Sequence, residues 1–75
     1  MFKLFPNPAQ NLIQLNSFIP IREVHITDLG GRRILTPRLA PDHLIAIDGV
    51  APGNYIVQVI FMDGRVVNEK LIIVR

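Results

Sequence analysis

The chain has 75 residues, 49% of them hydrophobic, with a formal charge of +2, a pI of about 9.7 and no cysteine. One small domain is the most that this length supports; such a domain buries only roughly 60% of its unfolded surface, so Val, Ile, Leu and Phe must supply the core without covalent help. The composition excludes disulfides, thiolate metal sites, thiol nucleophiles and a disordered chain.

Taken in order, the residues spell strands and turns. Phe2 to Phe5 suits a short edge strand. Phe5-Pro6-Asn7-Pro8-Ala9 follows, where two prolines remove two donors, fix two φ angles and push Asn7 toward extended geometry. This stiff segment predicts a rigid lead-in, with Phe5 as apolar anchor and the Asn7 side chain bonding nearby backbone. Asn11 to Asn16 reads as the next strand, with Ile13 and Leu15 inward. Val24 and Ile26 then alternate with Glu23, His25 and Thr27, the pattern of a half-buried strand with His25 on the wet face.

Gly30-Gly31 predicts a two-residue hairpin with positive φ at both central positions, leading into a strand over Arg32 to Thr36. Pro37 to Pro41 breaks the pattern, and His43 to Asp48 resumes it. Pro52-Gly53 suits the centre of a type II turn. Tyr55 just beyond it fits a tyrosine corner, in which the phenol bonds upstream backbone where the chain crosses between sheets. Asn54 to Met62 places Tyr55, Val57, Val59 and Phe61 inward and leaves Ile56, Ile60 and Met62 as a candidate docking patch on the reverse side. Asp63-Gly64 predicts a second two-residue hairpin, and Arg65 to Arg75 the last strand. Leu71 to Val74 is apolar on both faces, so it is either central or offers one face to another protein. Seven short strands with regular turns predict an all-β, seven-stranded antiparallel immunoglobulin-like sandwich occupying residues 1–75 as a single domain.

Four of these segments, in this order, resemble the C-terminal sorting domains of the bacterial type IX secretion system. Phe5-Pro6-Asn7-Pro8-Ala9 is similar to the family's opening motif. Asp28 to Ile34, with Gly31 and Arg32, is similar to its Gly-Arg hairpin. Ala51-Pro52-Gly53-Asn54-Tyr55 matches its Pro-Gly-x-Tyr corner. Gly64-Arg65-Val66 with the basic-apolar ending Lys70-Leu71-Ile72-Ile73-Val74-Arg75 matches its closing hairpin and tail, although a single terminal arginine is leaner than the usual ending. The resemblance covers nearly the whole chain. It implies a secretion signal attached behind an N-terminal cargo domain in a member of the Bacteroidota. It also implies passage from the periplasm through the type IX translocon to the outer-membrane surface or medium, and cleavage by a sortase-like peptidase. Recognition would then fall on Phe5, Pro6, Asn7, Pro8, Gly31, Arg32, Pro52, Gly53, Tyr55, Gly64 and Lys70 to Arg75.

Other classes find less support. Lys3, Arg22, Arg32, Arg33, Arg38, Arg65, Lys70 and Arg75 are spread along the chain, whereas phosphate-tracking surfaces need clustered cations with stacking aromatics, so no nucleic-acid partner is expected. No catalytic, metal or cofactor residues are expected either. His25 and His43 have no ligand spacing, Asp28, Asp42, Asp48 and Asp63 sit at turns, and Ser17 lacks a nucleophile elbow. Met1 is followed by no charged-then-apolar signal segment, so export would require a preceding carrier. The alternative is an immunoglobulin-like or fibronectin-like accessory module binding carbohydrate or protein, which exposure of Phe2, Phe18 and Phe61 together would favour. Self-association through an open sheet edge is a further expectation.

Overall fold

The structure, a computed structural model, describes residues 2–75, and Met1 lies outside them. Seven strands form: β1 (Phe2–Phe5), β2 (Leu12–Ser17), β3 (Ile21–Asp28), β4 (Arg33–Leu35), β5 (Leu44–Ala46), β6 (Gly53–Phe61) and β7 (Val66–Ile73). They make two antiparallel sheets, a three-stranded one in the order β1-β2-β5 and a four-stranded one in the order β4-β3-β6-β7. The expected all-β sandwich of immunoglobulin-like type is therefore the fold.

Period-two patterning builds the core between the sheets. Ile13 and Leu15 from β2, Val24 and Ile26 from β3, Ile45 from β5, Tyr55, Val57, Val59 and Phe61 from β6, and Leu71 and Ile73 from β7 are all buried. Burying each such side chain contributes roughly 1.5–3 kcal/mol before the entropy of ordering is subtracted. Phe2 sits half-buried against Phe61 in an edge-to-face pair, with ring centroids 6.0 Å apart. The reverse side of β6 is half-covered: Ile56 lies between Thr27 and Lys70, and Ile60 between Glu23 and Val66, in the cross-strand registers. Met62 falls just past β6 and is 60% exposed.

Both hairpins differ from the two-residue turns expected. At β3–β4, Asp28 N–H donates to Arg32 C=O at 2.9 Å and Gly31 N–H to Asp28 C=O at 3.1 Å, which closes a three-residue loop. Only Gly31, at φ 88°, lies in the left-handed region, and Gly30 does not. Asp28 Oδ1 accepts from the Gly30 and Arg32 amides at 3.0 and 2.9 Å, and that holds the turn in the type I form that ends on a single left-handed residue. The β6–β7 hairpin repeats the device, with Phe61 N–H to Arg65 C=O at 2.9 Å, Gly64 N–H to Phe61 C=O at 3.0 Å, and Gly64 at φ 92°.

Three further expectations are corrected. Gly53 has φ 155° and pairs with Ile73 as the first residue of β6, so Pro52-Gly53 is a strand start and not a type II turn, which needs φ near +80°. The predicted strand over His43 to Asp48 contracts to β5 because His43 is at φ 56° and donates its amide to Ala40 C=O at 2.9 Å, a turn geometry that breaks the ladder. His25 is not on a wet face: it is 6% exposed, with Nδ1 3.1 Å from Thr36 Oγ1 and Nε2 2.8 Å from Glu23 Oε1. Polar neighbours close over it, which alternation along a single strand does not reveal.

Candidate functional site

Most of the singled-out residues gather at one end of the four-stranded sheet. Asp28 pairs with Tyr55, and Gly53 with Ile73, so the Gly31-Arg32 hairpin, the Pro52-Gly53-Tyr55 segment and the chain's last strand finish side by side. Gly64 is at the opposite end, where Ile21 pairs with Phe61.

The connection between β1 and β2 is what ties this end together. It leaves the three-stranded sheet after Phe5, crosses to the free edge of β7, and returns at Leu12. Along that edge Asn7 Nδ2 donates to Lys70 C=O at 2.7 Å while its Oδ1 accepts from Ile72 N–H at 3.0 Å. Ala9 N–H then donates to Ile72 C=O at 2.8 Å and its C=O accepts from Val74 N–H at 2.8 Å, a parallel bridge to Ile73. The expectation that Asn7 bonds nearby backbone is corrected, because its partners are 63 and 65 residues away. The segment bends at Pro6, Asn7 and Pro8, with cis peptide bonds before both prolines, and neither proline can donate to β7, so a side-chain amide substitutes for the missing backbone donor.

Phe5 is likewise not the anchor of this segment. In β1 the half-buried residues are Phe2 and Leu4, which turns Phe5 outward at 42% exposure, and Ala9 is the fully buried residue instead. Phe5 borders an open groove of about 550 Å³ whose lining includes Pro6, Pro8, Leu12, Leu44 and Val74. Thus the first and last motifs of the sequence share one apolar surface.

The tail is fixed at a second point. Arg75 donates from Nη2 to Ile47 C=O at 2.7 Å and from Nη1 to Val50 C=O, and Asn11 C=O accepts from Ile47 N–H at 2.8 Å. One guanidinium therefore holds two loop carbonyls of the β5–β6 connection. In the same connection Tyr55 Oη donates to Ala51 C=O at 2.5 Å, the tyrosine corner that the sequence predicts. Within the tail Leu71 and Ile73 are buried, Ile72 is half-buried, and Lys70, Val74 and Arg75 are exposed. An apolar run that looked two-faced is core on one face and open on the other.

The remaining polar residues serve local structure. Asp42 Oδ1 accepts from Leu44 N–H at 3.1 Å, Asp63 Oδ1 from Arg65 N–H at 3.0 Å, and Ser17 Oγ bonds both the amide and the carbonyl of Ile19. Arg22, Arg32 and Arg65 pair with Glu23, Asp28 and Asp63 at 3.6, 3.4 and 3.0 Å. Phe2 and Phe61 are packed together while Phe18 is 99% exposed, so these three rings do not form a shared aromatic platform.

The protein defined by this fold and these contacts is a small immunoglobulin-like sandwich in which the opening and closing motifs are knitted into one end. The family model for the secretion system C-terminal sorting domain matches residues 3–74, and the chain belongs to that family, which serves type IX secretion. Membership implies an attached N-terminal cargo and export across the outer membrane to the cell surface or beyond. No curated protein matches the chain.

Proposed function

We propose that this domain is read by the type IX translocon as a folded label in the periplasm. It travels with its cargo through the outer membrane and is then removed by a sortase-like peptidase. The observation that carries this reading is the joining of the two ends of the family match: Asn7 and Ala9 hold Lys70, Ile72 and Val74 through four hydrogen bonds. A linear tail peptide would present Leu71 and Ile73, but both are buried here. The machinery therefore meets the side chains of Lys70, Ile72 and Val74 together with Phe5, Pro6 and Pro8. The domain has no catalytic role of its own in this scheme. A carbohydrate-binding module is less favoured because Phe2 and Phe61 face the core.

The test is a fusion of residues 2–75 behind a periplasmic fluorescent reporter in a Bacteroidota host with and without a working translocon. Export only where the translocon works is the expected result, and a shortened reporter outside the cell marks cleavage. A folded fusion held in the periplasm of both strains sinks the reading.

A further inference from the structure

We propose that the end of the sandwich formed by Phe2, Phe18 and Met62 is the seat of the polypeptide that joins the cargo to Phe2, so that cargo and label are held together and not strung on a free tether. This inference rests on the attached cargo that family membership implies and not on how the translocon reads the domain. In β1 the register runs from Phe5 opposite Gln14 to Phe2 opposite Ser17, so in the upstream direction the strand heads for Phe18. Phe2 and Phe18 line one open cavity of about 270 Å³ with Lys3, Asn16 and Ser17. A polypeptide that enters at Phe2 therefore arrives beside the Phe18 ring.

Phe18 is held out in water by its neighbours. Ser17 Oγ donates to Ile19 C=O at 2.8 Å and accepts from Ile19 N–H at 3.0 Å, which fixes the turn on either side of the ring. Ile19 packs against the core, and the place beside Phe61 is taken by Phe2, so Phe18 has no inward position left and is 99% exposed. The exposure does not stop at one ring. Met62 N–H donates to Pro20 C=O at 2.9 Å, which brings a second apolar side chain, 60% exposed, to the same end. Covering Phe18 and Met62 removes apolar area from water, and the chain nearest to them is the one joined at Phe2. Tethered within a few residues of the ring, that chain meets it at an effective concentration on the order of millimolar, so one or two apolar side chains suffice where a separate partner would need a full interface.

The test uses the full precursor, with the residues that its gene encodes ahead of Phe2, and a protease of broad specificity that cuts the junction only when it is off this surface. Phe18→Asp places a charge under the junction, and because the ring is already in water the substitution should leave the circular dichroism and melting temperature of the sandwich unchanged. Cleavage just ahead of Phe2 should be about tenfold faster in the Phe18→Asp precursor, since proteolysis follows the population of the open state. Met62→Asp should act in the same direction. Leu29→Asp, at another exposed apolar residue but in the hairpin at the opposite end, should leave the cleavage rate alone. Equal rates in the parent and Phe18→Asp precursors overturn the seat and leave cargo attachment standing. Faster cleavage in the Leu29→Asp precursor as well would trace the effect to general loosening and overturn the seat in the same way. A reading frame that encodes nothing ahead of Phe2 but the initiating methionine overturns the attached cargo and the seat with it.

Discussion

Asn7 and Ile72 are 65 residues apart in sequence and joined by a 3.0 Å hydrogen bond, with the same asparagine also bonded to Lys70. With Ala9, this asparagine links the sorting family's first motif to its last. Because it lies between two prolines, the backbone around it is short of donors, and a side chain with both a donor and an acceptor does what a strand backbone would do. Asp at this position would keep the acceptor and lose the donor. Ser or Ala would lose the reach.

The guanidinium of Arg75 should behave as a structural clamp. It bonds Ile47 C=O and Val50 C=O, and no carboxylate takes part in either contact. Arg75→Ala should cost about 1–2 kcal/mol, since hydrogen bonds from a charged donor are worth more than neutral ones but this side chain is partly in water. For a domain of this size that is a fall of about 5–10 °C in melting temperature, measured by circular dichroism. Arg75→Lys should recover less than half of the loss, because one ammonium cannot match a planar fork aimed at two carbonyls. Equal stability of all three chains would remove Arg75 from the fold and leave it to recognition alone.

Tyr55→Phe isolates the corner bond. The ring is buried and its position is set by packing, so the substitution removes the hydroxyl that donates to Ala51 C=O at 2.5 Å and little else. The expected loss is about 1–2 kcal/mol in urea denaturation with an unchanged slope, since the surface exposed on unfolding is the same. A neutral result would mean that water at the loop replaces the phenol.

Alternation was enough to place the core. Ile13, Leu15, Val24, Ile26 and the odd-numbered residues of β6 from Tyr55 to Phe61 went to the predicted side because a period of two is local information. Tyr55, too, could be assigned from its neighbours. The crossing to β7 could not: Asn7 looks like any proline-flanked loop asparagine, and nothing within ten residues of it indicates a partner at Lys70 or Ile72. His25 was misplaced for a similar reason, since its cover comes partly from Thr36, eleven residues on. Hairpin positions were legible but their type was not. The three-residue form depends on Asp28 accepting two amides, while glycine pairs alone suggest the shorter turn.

Gly31 and Gly64 should respond alike to substitution. Each is at positive φ, 88° and 92°, and a Cβ would meet nothing within 4 Å at either site, so backbone strain alone is at stake. Gly31→Ala and Gly64→Ala should each cost about 1 kcal/mol, with the double variant additive because the hairpins lie at opposite ends of the sheet. Asn in place of alanine should recover part of the loss, since it tolerates the left-handed region. Thermal melts of the two alanine variants, their double and the two asparagine variants measure this. A strongly non-additive double variant would indicate that the two ends of the sandwich are coupled.

Ile60→Lys separates recognition from folding on the outer face of the four-stranded sheet. Ile60 is half-buried, directly across from Glu23 on β3 and Val66 on β7. A lysine there can lay its methylenes along the sheet, keep its charge in water and face a carboxylate across the strands. Stability should therefore change by less than about 1 kcal/mol, a surface-scale effect. If the half-covered apolar residues of β6 form part of what the translocon touches, export of the reporter fusion should fall several-fold in a chain whose circular dichroism and melting temperature match the parent. Ile56→Lys repeats the experiment beside Lys70, where a second cation across the strands is repulsive, and should cost more stability for the same change in chemistry. Undiminished export from folded Ile60→Lys and Ile56→Lys chains would move recognition off this face and onto the surface shared by Phe5, Pro6, Pro8 and Val74.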